Sequence, residues 1–462
     1  MMTSFRMAAG AALLSLALPV LAAGASTPDA AAIQRGRYLA TAGDCIACHS
    51  VPGGKPMAGG LALATPLGAV VATNITPSKT HGIGNYTLKQ FSDAVRHGVR
   101  ADGANLYPAM PYTAYAKVTD EDTAALYDYF MHGVAAVDAA PAKQTDLPFP
   151  FNIRLSMSGW NMLFLDKKPF VADASKSMEW NRGAYLAQGL AHCTTCHTPR
   201  NALMAEQLSK ELGGADLGTW YAPNITSDIN SGVGGWSQQE LVDYLRTGRS
   251  ANKAQAAGPM AEAIDHSLKH LSDADLNAIA HYVKGVPAIR DKADTKPVTQ
   301  WGKAGEELSS IRGVPLPQNL HKMSGAQLYD AQCASCHQAK GEGSFDGSLP
   351  PLFHNSVTGR SNSNNLVMAI LDGVERQDGG SGHLMPAFRQ TLSDEQIVTL
   401  GNYVQKMYGN PAIKVTAEQV TTLRNGGPAS NLIGLARAGI IVGVLVLLAL
   451  LLWWRGRRRK AA

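Results

Sequence analysis

Three stretches of this chain repeat one pattern, a hydroxyl start signal followed by apolar residues three and four positions apart. Leu126, Tyr129 and Phe130 form the first stripe, and Leu276, Ile279, Tyr282 and Val283 the second. Ile397, Leu400, Tyr403 and Val404 form the third. That spacing predicts a helix with one buried face. The start signals, Thr119-x-x-Asp122, Ser272-x-x-Asp275 and Ser393-x-x-Gln396, read as capping boxes with acidic first turns. A further helix is predicted upstream of each stripe, opened by Gly36-Arg37-Tyr38-Leu39, Gly183-Ala184-Tyr185-Leu186 and Gly325-Ala326-Gln327-Leu328.

The first two repeats match further. Ala72-Thr73-Asn74-Ile75-Thr76 pairs with Ala222-Pro223-Asn224-Ile225-Thr226, and Gly82-Ile83-Gly84 with Gly232-Val233-Gly234. Each then enters a short helix, expected over Thr87–His97 and Ser237–Thr247. The third repeat lacks this insertion and is more compact. The expected domains are 31–138, 181–286 and 323–410. They are joined by proline-dotted linkers at 139–180 and 287–322, which proline keeps extended and semi-rigid. The first linker carries an apolar patch around Trp160 to Phe164.

The ends follow other rules. Arg6, the short apolar run Met7 to Leu21 and the small residues Ala23-Gly24-Ala25 predict a cleaved export signal over 1–25. Ala438 to Trp454 carries no charge and spans roughly 25 Å as a helix. Extended back to Leu432, with Arg437 snorkelling, it predicts a transmembrane helix over 432–454. Trp453 and Trp454 suit a membrane interface. The basic run 455–462 then suits a cytoplasmic tail, placing the rest of the chain outside the inner membrane on the periplasmic side. An interfacial amphipathic helix would need a polar face, which this run lacks.

With 462 residues the chain exceeds one ordinary core, and a charged fraction of 17% is that of a globular protein. The net charge of +5 is modest and concentrated in the C-terminal arginines, which argues for a membrane and against nucleic acid as a partner.

Six cysteines in an exported protein would ordinarily suggest disulfides. Here all six fall in three identical motifs: Cys45-Ile46-Ala47-Cys48-His49, Cys193-Thr194-Thr195-Cys196-His197 and Cys333-Ala334-Ser335-Cys336-His337. C-x-x-C-H is the c-type haem attachment sequence. Two thiols on one helical turn reach the two vinyl groups of a haem, and the next imidazole lies under the iron. A redox dithiol needs no following histidine, and structural zinc would combine two pairs in one site. Three covalently bound haem c groups are therefore expected, with His49, His197 and His337 as proximal ligands.

A sixth ligand from methionine would come from a downstream loop. Met110, Met260 and Met385 each lie beside proline in segments that read as irregular, 61, 63 and 48 residues after their histidines. Each is followed within about ten residues by one of the striped helices. No flavin, nicotinamide or nucleotide motif is found in the chain.

The haem motifs together with Thr73-Asn74-Ile75-Thr76-Pro77, Gly82-Ile83-Gly84, Tyr107-Pro108-Ala109-Met110-Pro111-Tyr112 and Gly258-Pro259-Met260 resemble the triple-haem cytochrome c subunit of bacterial membrane-bound alcohol, gluconate or aldehyde dehydrogenases. The resemblance runs from about Ala31 to Gly409. It implies a mainly α fold of three tandem cytochrome c-like domains plus a C-terminal transmembrane helix. It implies the axial pairs His49/Met110, His197/Met260 and His337/Met385. A periplasmic dehydrogenase catalytic subunit (flavoprotein, quinoprotein or molybdoprotein) would supply electrons, and ubiquinone would accept them. Two other readings are a relay to a terminal oxidase or soluble cytochrome, and a multihaem peroxidase with an open sixth position.

Overall fold

The computed structural model describes residues 29–378 and 381–461, and the signal expected over 1–25 lies outside them. The described chain is mainly helical, and its strands make four short antiparallel pairs. In the first module helix Ala30–Ala42 packs on helix Asp120–Asp128, which continues through the wide turn Tyr129–Gly133. Met178–Tyr185 packs on Asp273–Gly285 in the second module, and Gly325–Gln332 on Asp394–Tyr408 in the third.

The repeated glycine sits at each crossing. A Cβ on Gly36 would lie 1.9 Å from the carbonyl oxygen of Ala125, and one on Gly183 1.9 Å from that of Ala278. Only a residue without a side chain lets these backbones touch. The striped faces are buried as their spacing requires: Leu126, Leu276, Ile279, Ile397 and Leu400 are all at most 4% exposed. One continuous core runs through modules one and two, from Leu39 and Phe130 to Leu186 and Ile264. Module three has a core of its own around Leu328, Val367 and Tyr408.

Modules one and two meet through reciprocal contacts. The Tyr38 hydroxyl of module one donates to Asp275 of module two at 2.5 Å, and Tyr185 of module two donates to Asp122 of module one at 2.5 Å. Each hydroxyl also accepts the N–H of the other module's helix cap, Ser272 at 3.1 Å and Thr119 at 3.5 Å. Arg182 and Arg35 grip the same two carboxylates within their own modules. Equivalent residues thus touch in exchanged roles, as at an isologous interface.

This exchange alters the expected capping boxes. Thr119, Ser272 and Ser393 all accept the backbone N–H three residues on. Only Ser393 has the return bond, from its own N–H to Gln396 at 3.0 Å. Asp122 and Asp275 face arginine and tyrosine instead, so the neighbouring module's hydroxyl completes the cap.

Module three docks on module two through polar pairs. Asn365 exchanges two 2.8 Å bonds with the Tyr221 backbone, Arg376 donates to Thr247 and pairs with Asp265, and Ser361 donates to Asp291. The first linker holds a helix, Ser156–Phe164. Its Asn161 accepts from Tyr112 at 2.8 Å, and its Trp160 packs edge-on against the same ring.

The C-terminal helix is a single rod, Leu432–Ala461. Its stretch Leu432–Arg459 is long and apolar enough to cross a membrane, with a mean hydropathy of 2.7 and none of that apolar window buried. The basic segment expected as a tail continues the same helix. Arg457 and Arg458 fold over the rings of Trp453 and Trp454 at 4.4 and 3.6 Å, cation–π contacts that join the aromatic belt to the charged end.

Candidate haem sites

Helices Cys45–His49 and Cys193–His197 and the turn Ala334–His337 after Cys333 set the thiols of each motif on one side of a turn. All six cysteines are unbridged. Burial pushes Cys45, Cys193 and Cys333 up to about 12 and Cys48 up to about 11. A working dithiol needs a depressed thiol instead, so the redox-dithiol reading fails. Among the described residues no three His, Cys, Asp or Glu side chains converge as structural zinc would require.

The three histidines are held alike. His49 Nδ1 lies 2.7 Å from the Thr73 carbonyl, His197 Nδ1 2.6 Å from that of Pro223, and His337 Nδ1 2.9 Å from that of Pro350. A carbonyl can only accept, so Nδ1 carries the proton and Nε2 keeps its lone pair for a metal. Burial lowers the pKa of all three imidazoles, which keeps them neutral.

The repeated Asn-Ile-Thr segment aims two of these carbonyls. Asn74 Oδ1 accepts from both N and Oγ1 of Thr76, and Asn224 Oδ1 does the same for Thr226. Their amides donate to backbone across the module, at Val137 and Ile289. The loop is thereby fixed with the preceding residue's carbonyl facing the imidazole. The sequence showed this repeat without its purpose.

One apolar cavity of about 310 Å³ is lined by Cys193, Cys196, His197 and Met260 of module two. The same cavity is lined by His337 and Met385 of module three, and by Ala42 and Asp44 at the edge of module one. Burial, with Glu262 nearby, pushes the Asp44 carboxyl up to about 8, so it is neutral at pH 7. The lining does not include Cys333, Cys336 or the predicted ligands of module one. Met110 is half-buried against the core that also holds Cys45.

The three methionines sit on different supports. Met110 lies in the turn before the short helix Tyr112–Tyr115, and its neighbours Tyr107 and Tyr112 are anchored on the first linker, at the Phe151 carbonyl and Asn161. Met260 is not in an irregular loop but in the first turn of helix Gly258–His266, where Pro259 is tolerated because its missing N–H would be unpaired anyway. Met385 ends the strand Ser381–Met385 paired with Val374–Asp378. Unbridged paired thiols, oriented imidazoles and an apolar cavity suit a covalently held haem, whose iron takes up and returns one electron at a time.

The cytochrome c family matches residues 33–133 and 181–287, and the family described as cytochrome c oxidase, cbb3-type, subunit III matches 321–404. The class is thus that of a multidomain c-type cytochrome, which carries covalent haem c and transfers electrons. Among whole proteins, the chain is 49% identical to the fructose dehydrogenase cytochrome subunit of Gluconobacter japonicus over 447 residues, 93% of this chain and 91% of that one. It is 40% identical to the gluconate 2-dehydrogenase cytochrome c subunit of Pantoea cypripedii over 430 residues, 89% and 94% of the two chains. It is 38% identical to the cytochrome c subunit of the alcohol dehydrogenase (quinone) of Gluconacetobacter polyoxogenes over 422 residues, 88% of each. The chain belongs to the family of dehydrogenase cytochrome c subunits.

Proposed function

We propose that this chain takes electrons from a periplasmic dehydrogenase subunit, carries them through three haem c groups and delivers them to ubiquinone in the inner membrane. The axial pairs in this reading are His49/Met110, His197/Met260 and His337/Met385, with Cys45 and Cys48, Cys193 and Cys196, and Cys333 and Cys336 forming the thioethers. The observation that carries it is the single cavity lined by both His197/Met260 and His337/Met385. Two haems without a protein wall between them suit electron transfer rather than separate chemistry. The alcohol dehydrogenase relative has a quinone in its name, which supports a quinone as acceptor.

Module one is the exit in this reading. Arg437, in the first turns of the membrane-length helix, donates to the Phe149 carbonyl at 3.0 Å. From there the first linker runs to Tyr107 and Tyr112, which flank Met110. Leu155, Met162 and Leu163 on its outer side are 74%, 83% and 67% exposed and would lie against the bilayer surface, next to a lipid-soluble acceptor. The test is quinone reduction by the chain in proteoliposomes with its dehydrogenase partner. Substrate-dependent reduction of a ubiquinone analogue, lost on truncation before Leu432, is expected. Undiminished quinone reduction by the truncated chain would contradict it.

A further inference from the structure

Three arginines are almost wholly buried: Arg96 (5% exposed), Arg360 (7%) and Arg376 (4%). Two of them have carboxylate partners, Arg96 with Asp120 and Arg376 with Asp265. Arg360 has none within 4.0 Å among the described residues. Among the described residues its side chain has one hydrogen bond, from Nη1 to the Ser231 carbonyl of module two at 2.7 Å. Asp294 and Asp291 are near enough for their charge to act on it, but neither is paired with it, and both accept from Ser361. A buried guanidinium with no carboxylate in direct contact is costly, and such a charge is retained where something anionic meets it.

The position of Arg360 says what that is. The residue belongs to module three, yet it lines the cavity that holds His197 and Met260. The same cavity also holds His337 and Met385, but the guanidinium is turned to module two by its bond to the Ser231 carbonyl, and the next residue, Ser361, is bonded to Asp291 and Asp294 on the same side. Haem brings two propionate carboxylates of its own, and they are the anions this apolar cavity would receive.

We infer that Arg360 of module three is the counter-ion for a propionate of the haem attached in module two, so that docking of the third module sets the potential of the second module's haem. This rests on assigning His197 as a haem ligand. A cation held near the iron favours the reduced haem, which carries one positive charge fewer. Losing it lowers that haem's potential, and at protein-like dielectric the redox equilibrium shifts on the order of tenfold.

The test is a spectroelectrochemical titration of the full holoprotein as wild type, Arg360→Gln and Arg360→Lys, with resonance Raman spectra of the propionate bending modes. His337→Ala and His197→Ala holoproteins identify which haem gives which wave. The expected result in R360Q is one haem, that of His197, moved to lower potential on the order of tenfold in equilibrium constant, with its propionate mode shifted. R360K should restore most of the potential, because charge is what matters. A potential shift without a Raman change means a merely structural effect and overturns the inference. So do three unchanged potentials, or a shift confined to the haem of His337. If His197→Ala leaves all three waves as in wild type, the ligand assignment fails instead. If R360Q does not accumulate, R360K alone decides, by keeping or losing the wild-type propionate mode.

Discussion

The joint between modules one and two and the joint between two and three are built on different plans. The first is reciprocal: two tyrosines, two carboxylates and two helix caps exchange partners over one continuous core. The second joins separate cores through polar pairs, and the cavity lined by both modules' predicted ligands lies in the joint itself. Duplicated modules can pair by equivalent surfaces, because any surface that fits one end fits the other. The compact third module lacks the matching surface, so it is held at the site. Buried apolar packing is continuous across the first joint, and the cavity between candidate haem ligands lies at the second.

The largest expected break is at the helix crossings. Gly36→Val and Gly183→Val each force a side chain into a backbone carbonyl and should cost about 3 kcal/mol or more. Calorimetry of the holoprotein should show modules one and two destabilised together while the transition of module three stays in place. If module three melted with them, the two-core division would be wrong.

The tyrosines come next. Tyr38→Phe and Tyr185→Phe each remove a hydrogen bond to a buried carboxylate, with an expected loss of about 1.5–3 kcal/mol. Reciprocity predicts losses equal within about 0.5 kcal/mol, the usual scatter of such comparisons. Denaturant midpoints that differ by much more would break it.

A smaller effect follows from pH. Burial alone would raise the Asp275 pKa, but hydrogen bonds from Arg182 and Tyr38 and the arginine's charge together hold it below the ordinary carboxylate range. A depressed carboxylate stabilises the fold above its unfolded pKa of about 4, and that contribution is lost as pH falls through the lower folded value. The melting temperature of the first joint should therefore drop in acid, and Asp275→Asn should flatten the profile below about pH 4. An unchanged slope in that variant would remove Asp275 from the account.

The smallest effect is at the loop behind the candidate haem histidines. Asn224→Ala frees the Pro223 carbonyl from its aim at His197 and makes the imidazole a weaker donor. The potential of one haem should then rise slightly, as should that of another in Asn74→Ala. Module three, which lacks the Asn-Ile-Thr repeat, should be indifferent to both, and potentiometry that moved its wave would contradict this.

Much of this was legible in the chain because it is local. C-x-x-C-H places thiols and imidazole on one turn whatever surrounds them, and the striped helices follow from spacing alone. What the sequence misplaced depends on distant partners. Asp122 and Asp275 look like box residues but serve tyrosines in the other module. Met260 reads as a loop residue because Pro259 precedes it, yet proline is at home in a first helical turn. Arg360 carries no local signal at all, since its setting arises only where modules two and three dock.

Whether one chain holds three redox-active haems is read out by coulometric titration of the purified holoprotein, followed at the haem α-band. Three one-electron, low-spin waves per chain are predicted. Fewer than three electrons, or a high-spin component that binds peroxide, would contradict it.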